Sequence, residues 1–230
     1  MKLYIGNKNY SSWSMRSWLL LRHFAIPFEE VKLRLDGFGP DSAFKRTIGA
    51  LSPAGRVPVL DIDGLKVWDT LAIAEAVAER FPQHAVWPRD AASRARARSI
   101  CAEMHAGFAA LRNACPMNIE LVMPEIGRKL MVEQPAVRAD LERLVAMWTD
   151  ALAGSGGPFL FGAFGNADAY FAPVVARIRS YALPVPAAIA AYGERVWAEA
   201  AVADWVRDAL EEHDFLAEDE PYRQSRGAAA

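Results

Sequence analysis
The sequence predicts an α/β unit over residues 1–81 followed by an all-helical unit over residues 90–216. Three observations carry that expectation. Asp63-Gly64 separates the apolar runs Val57–Ile62 and Leu65–Trp68, the signature of a tight β-hairpin. From about Ala91 the apolar residues recur at helical spacing, with almost no strand alternation. Between the two units lies "PQHAVWPRDAAS", whose prolines mark a linker.

The elements follow in order. "KLYIG" is a short β-branched and aromatic run, suited to a strand. The stretch "NKNYSSWSMRSWLLLRH" then places Ser11, Ser12 and Ser14 ahead of an apolar segment that reads as a helix to Phe24. Serine is a preferred helix cap, because its oxygen accepts an unpaired backbone N–H. "PFEEVKLRL" alternates imperfectly, as a half-buried strand does, and "SPAGR" is a turn. "DTLAIAEAVAERFP" puts Leu71, Ala74, Ala78 and Phe81 on one helical face, with Pro82 after its end. The order is β-α-β-(α)-β-β-α. In the second unit, Leu141, Leu144, Val145, Trp148 and Leu152 share a face, as do Ile189, Tyr192 and Val196, and Val202, Trp205, Val206 and Leu210. "GSGGP" and "ALPVP" break the helices, and the tail "RQSRGAAA" is expected to fray.

The bulk numbers narrow the function. Twenty-six basic against 28 acidic residues give a net charge of −2, so no nucleic acid or anionic membrane is expected as partner. No apolar run approaches the roughly 18 residues of a membrane span, and the opening "MKLYIGNKNYSS" turns polar too soon for a leader. A cytoplasmic location is the expectation. Cys101 and Cys115 read as buried or incidental thiols. The histidines (His23, His84, His105, His213) are scattered, so no metal is expected.

Two short motifs carry chemistry. Pro58 opens an apolar strand, where a residue without an N–H is tolerated. Strand punctuation accounts for it, and a cis Val57–Pro58 bond beside an extended ligand is the alternative. Asp69-Thr70 opens a helix and suits an N-cap. The same pair fits an α-amino acid head group: the helix start and hydroxyl hold a carboxylate, and the Asp holds the ammonium.

In its order and spacing, "SPAGRVPVLDIDGLKVWDTLAIAEAVAERFP" resembles the glutathione-binding half of the cytosolic glutathione transferases. The matching pieces are Ser52-Pro53 through Leu60, the Asp63-Gly64 hairpin, Asp69-Thr70 and Ala72-Ile73. The strand and helix order is that of a thioredoxin-like domain. "FLFGAFGNADAYFAPV" is similar to the family's second-domain capping box, with Asp168 present and Gly165 in place of the usual hydroxyl residue.

The resemblance implies a site. "SSWSMR" is similar to the zeta-class "SSCSxR" pattern, and that alignment, like the tau-class spacing to Arg16, puts the sulfur's hydrogen-bond donor on Ser11. A theta- or delta-like spacing gives Ser12. Trp13 takes the zeta cysteine position and joins the glutathione site, and Tyr4 and Tyr10 are out of register as donors. A hydrogen bond to a charged group contributes about 1.5–3 kcal/mol, enough to lower a thiol pKa from about 8.5 by roughly one to two units. A serine therefore suffices as donor without becoming a nucleophile. Arg56 is implied near the glycyl carboxylate, which its guanidinium can grip at two points. Val57 and Pro58 are implied at the cysteinyl unit, and Asp69 and Thr70 at the γ-glutamyl head group.

Met104, His105, Phe108 and Arg112 fall at helical spacing in "SRARARSICAEMHAGFAALRNACPMN" and are candidates for an apolar electrophile site. The implied function is a homodimeric glutathione transferase that conjugates glutathione, its co-substrate, to small apolar electrophiles. A zeta-like isomerase acting on a cis-configured dicarboxylate is the alternative, with Arg16 and Arg112 as its candidate cations. A non-catalytic binding module is the third reading. The acidic run "EEHDFLAEDEPYR" either packs back on the body or is solvated.

Overall fold
The structure is a computed structural model that describes residues 1–226. Its first part is a four-stranded mixed sheet with helices: β1 (Lys2–Ile5), α1 (Ser12–His23), β2 (Glu29–Lys32), α2 (Ala43–Leu51), β3 (Val59–Ile62), β4 (Leu65–Trp68) and α3 (Thr70–Arg80). The sheet order is β2-β1-β3-β4, with β1 parallel to β2 and antiparallel to β3. Leu3 pairs with Leu60, and Val59 with Trp68. Alternation along the strands sends Leu3, Ile5, Leu60 and Ile62 into the core shared with Met15, Leu19, Ile73 and Val77. The other face holds Val59 against Phe44 and Ile48 of α2. Asp63 and Gly64 make the β3–β4 turn with positive φ at both residues, the geometry this dipeptide favours.

Seven helices follow among the described residues: α4 (Ala91–Ala106), α5 (Ala109–Ala114), α6 (Pro124–Glu133), α7 (Pro135–Ser155), α8 (Asn166–Ser180), α9 (Ala187–Trp197) and α10 (Ala200–Glu211). None is long and apolar enough to cross a membrane. The spacing of "SRARARSICAEMHAGFAALRNACPMN" predicted one helix. The chain instead breaks at Gly107, and Phe108 has a left-handed φ of 57° before α5 begins. A Cβ at Gly107 would lie 2.9 Å from the Glu103 carbonyl oxygen, so glycine lets α4 end there and Phe108 turn into the core.

Helix α8 is the structural axis, buried along nearly its whole length, and α1 packs against it. This contact seats the start of α1 beside the second helical layer. The N-cap of α8 is Gly165, whose N–H donates to Asp168 Oδ2 at 3.0 Å. Only the acidic half of the capping box operates, as expected where glycine replaces the hydroxyl residue. Asp168 Oδ1 also accepts the Leu160 N–H and the Tyr192 hydroxyl.

The acidic run after α10 packs back on the body. Glu212 accepts the backbone N–H groups of Lys8 and Asn9, and Asp214 accepts from Asn7 and Arg34. A 3-10 turn at Ala217–Asp219 follows. Glu220 then receives Tyr10, Asn118 and Arg223. The expectation of a frayed tail is corrected at Arg223, which is buried because Glu220 neutralises it; residues 227–230 lie outside the described residues.

Candidate active site
The loop from Gly6 to Ser11 is held from several sides. Lys8 is buried, with Nζ 4.7 Å from the Trp18 ring and 5.4 Å from that of Trp205, and it pairs with Glu30 and Asp208. Such immobilisation fixes where α1 starts. Ser11 is its N-cap: its hydroxyl accepts the Ser14 N–H at 3.4 Å and donates to Ser14 Oγ at 2.7 Å. Ser14 Oγ also accepts the Gly6 N–H at 3.0 Å.

Ser12, in the first turn, behaves differently. Its oxygen accepts from Arg177 Nη2 at 3.2 Å. Among the described residues no acceptor takes the proton of Ser12, and the side chain borders a cavity of about 490 Å³. That cavity is also lined by Ser11, Trp13, Arg56, Val57, Arg112, Arg177 and Asp219. An adjoining cavity of about 430 Å³ shares Trp13, Arg56, Val57 and Arg112 and adds Pro58, Asp69, Thr70 and His105. A larger cavity of about 680 Å³ beside Trp148 and Trp197 is mostly apolar, and its Arg179 and Glu194 pair with each other.

Cations concentrate at the cleft. Arg177 is buried; Nη1 donates to the Cys115 carbonyl at 2.7 Å, and Nε has no partner. Burial, helped by the charge of Arg16, pushes its pKa down to about 10. Arg16 is also buried, its guanidinium 4.2 Å from the rings of both Trp13 and Tyr170, with Nη1 unpartnered. Its pKa is likewise pushed down to about 10 by burial. Arg112 Nη1 donates to the His105 and Gly107 carbonyls at the end of α4. Among the described residues none of Arg16, Arg56, Arg112 and Arg177 forms an ion pair. One acid borders the same cavity: Asp219, pushed up to about 6 by burial and then by Glu218 and Glu220.

The Asp69 end is a cross-domain network. Asp69 caps α3 through the Leu71 N–H at 2.8 Å, with a φ of 73° that is strained for a non-glycine residue. Its Oδ2 lies 3.2 Å from His105 Nε2. His105 Nδ1 and Thr70 Oγ1 each lie 2.9 Å from the Tyr170 hydroxyl. Burial pushes that phenol up to about 12, so it remains a neutral donor and acceptor. Thr70 is buried by this bond.

The structure brings Ser11, Ser12, Trp13, Arg56, Val57, Pro58, Asp69, Thr70, His105 and Arg112 to two contiguous cavities. The Val57–Pro58 peptide is cis. Met104 and Phe108 are placed elsewhere: Met104 faces the core from within α4, and the break at Gly107 turns Phe108 into the core. The lining is also more cationic than the expected apolar pocket. Arg177, Tyr170 and Asp219 were not singled out from sequence. A lone arginine inside the apolar run "FAPVVARI" was the available signal for Arg177; the other two carried none.

An α/β domain of this topology, packed on a helical layer with its cleft at the junction, defines the thioredoxin-like two-domain class. Residues 10–80 match the family described as glutathione S-transferase, N-terminal domain. The fold is that of the glutathione S-transferases. A glutathione transferase homologue from Burkholderia, solved with bound glutathione, superposes with a TM-score of 0.70 at 25% identity, covering 91% of this chain and 98% of that one. A bacterial zeta-class maleyl pyruvate isomerase superposes with a TM-score of 0.65 at 23% identity, covering 94% and 100%. Maleylacetoacetate isomerase of Pseudomonas aeruginosa is 32% identical over 120 residues, 52% of this chain and 55% of that one. The chain spans about half the length of the curated relatives it matches.

Proposed function
We propose that the chain is a glutathione transferase in which the Ser12 hydroxyl holds the glutathione thiolate. The observation that carries this reading is the state of the α1 hydroxyls. Ser11 donates to Ser14, whereas Ser12 keeps its proton for the cleft while Arg177 holds its oxygen. This reading prefers Ser12 to Ser11, the opposite of the order suggested by the sequence. Glutathione suits the lining: its carboxylates meet Arg56 and the start of α3, its ammonium meets Asp69, and its sulfur meets Ser12. Val57 and Pro58 border the middle of that path, and the thiolate then forms a carbon–sulfur bond to an electrophile such as an aryl halide held against Trp13, His105 and Arg112, with the carbon–halogen bond breaking and halide leaving as the anion.

Ser12→Ala is expected to slow conjugation of an aryl halide roughly 10- to 100-fold, the loss of one hydrogen bond to a charged group. Glutathione affinity by calorimetry stays within a few-fold. Ser11→Ala retains most of the rate but loses about 1 kcal/mol of cap stability. An undiminished rate in Ser12→Ala refutes the assignment. A wild-type chain that does not bind glutathione points to the non-catalytic reading.

A second reading has a specific observation behind it. The cluster of arginines without acidic partners suits an anionic second substrate, as a glutathione-dependent isomerase of a cis-configured dicarboxylate requires, and relatives similar over about half their length carry isomerase names. Comparing aryl-halide conjugation with dicarboxylate isomerisation separates the two. A homodimer in the cytoplasm completes the proposal.

A further inference from the structure
We infer that Arg177 is a positioning residue: its guanidinium lowers the pKa of the bound thiol by acting through the Ser12 hydroxyl. The inference rests on the proposed glutathione site. It starts from a cost. Desolvating a guanidinium without a counter-ion is unfavourable, and Arg177 is buried with no carboxylate paired to it among the described residues and with an unpartnered Nε. A tie between α8 and the Cys115 carbonyl needs only a neutral donor. A retained buried charge is complementary to an anion that arrives later.

The geometry shows how the charge reaches the sulfur. Nη2 donates to Ser12 Oγ at 3.2 Å, which engages a lone pair and polarises the O–H toward the cleft. A polarised hydroxyl is a better donor to a thiolate than to a thiol. The thiol proton leaves to water, Ser12 keeps its own proton, and Arg177 stays charged throughout. The surrounding groups mostly reinforce the effect: Arg16 from α1, Arg112 from α5, and Arg56 and Lys45 across the cavity are cationic. Asp219, on the 3-10 turn, is the opposing carboxylate, and Tyr10, Tyr181 and Cys115 are neutral neighbours raised by burial.

The test titrates the thiolate absorbance of glutathione bound to the full chain. Wild type is expected to hold the thiol below the ordinary value of about 8.5. Arg177→Gln is expected to raise it by about one unit, a tenfold loss of thiolate below the pKa. Arg177→Lys recovers part of that shift. Combining Arg177→Gln with Ser12→Ala raises it no further than Ser12→Ala alone, because the two act in series. A folded Arg177→Gln with the wild-type thiol pKa, or full additivity with Ser12→Ala, overturns the inference while leaving the Ser12 reading intact. Absence of any bound-thiolate signal in wild type overturns both. Should Arg177→Gln fail to fold, the unsubstituted protein still decides: the Arg177 guanidinium NMR resonance must follow the thiol titration, and a resonance that stays fixed overturns the inference.

Discussion

Glu212→Ala should unfasten the loop that presents Ser11 and Ser12. The Glu212 side chain is only 3% exposed, and its two oxygens accept the Lys8 and Asn9 N–H groups at 2.8 and 3.2 Å. A hydrogen bond to a charged group contributes about 1.5–3 kcal/mol, and truncation strands two donors. The added pair with half-exposed Lys32, at 3.2 Å, contributes under about 1 kcal/mol. The bonds share one carboxylate and do not simply add, so the expected loss is about 3–5 kcal/mol. For a chain of this size that corresponds to a fall in Tm of roughly 6–20 °C. Thermal unfolding by circular dichroism reads it. Exposed Glu211→Ala is the control, expected within about 0.5 kcal/mol of wild type. Glu212→Gln, which keeps one acceptor, falls between. If Glu212→Ala and Glu211→Ala melt together, the loop does not depend on this clamp and the reasoning fails.

Two further substitutions probe a half-buried carboxyl, Asp219, and a buried one, Asp168. Asp219 is raised from 3.8 to about 6, mainly by burial, so its contribution to stability is complete below about pH 4 and lost as the pH climbs through 6. Asp219→Asn should therefore raise Tm at pH 8 and leave it unchanged at pH 4; an equal shift at both refutes the assignment. Asp168→Ala strands the N–H groups of Leu160 and Gly165 and the Tyr192 hydroxyl, for a loss of about 3–5 kcal/mol, read as a lower urea midpoint with an unchanged m value.

Much of the α/β part was legible because its signals are local. Asp63-Gly64 makes the turn where the dipeptide stands, Pro82 lies just past the end of α3, and the serine cluster caps α1. The helical periods located α7, α9 and α10, since a face spaced at three and four residues has one way to meet a core. The same rule failed across Gly107. Periodicity assumes a continuous helix, and a single left-handed residue at Phe108 resets the phase.

The site divides along the same line. Sequence alone determined which hydroxyls stand at the start of α1 and which residues open α3, because caps and turns depend on neighbours a few positions away. It did not determine which hydroxyl is available. That depends on the bond Ser11 makes to Ser14 and on Arg177, 165 positions from Ser12 and brought beside it by the packing of α1 on α8. Nor did it decide whether "EEHDFLAEDEPYR" is solvated or bound, since an acidic run looks the same either way until Lys8, Asn9 and Tyr10 present donors to it. Hydrogen-bond supply and charge compensation are set by distance in space, and only the tertiary structure fixes that distance.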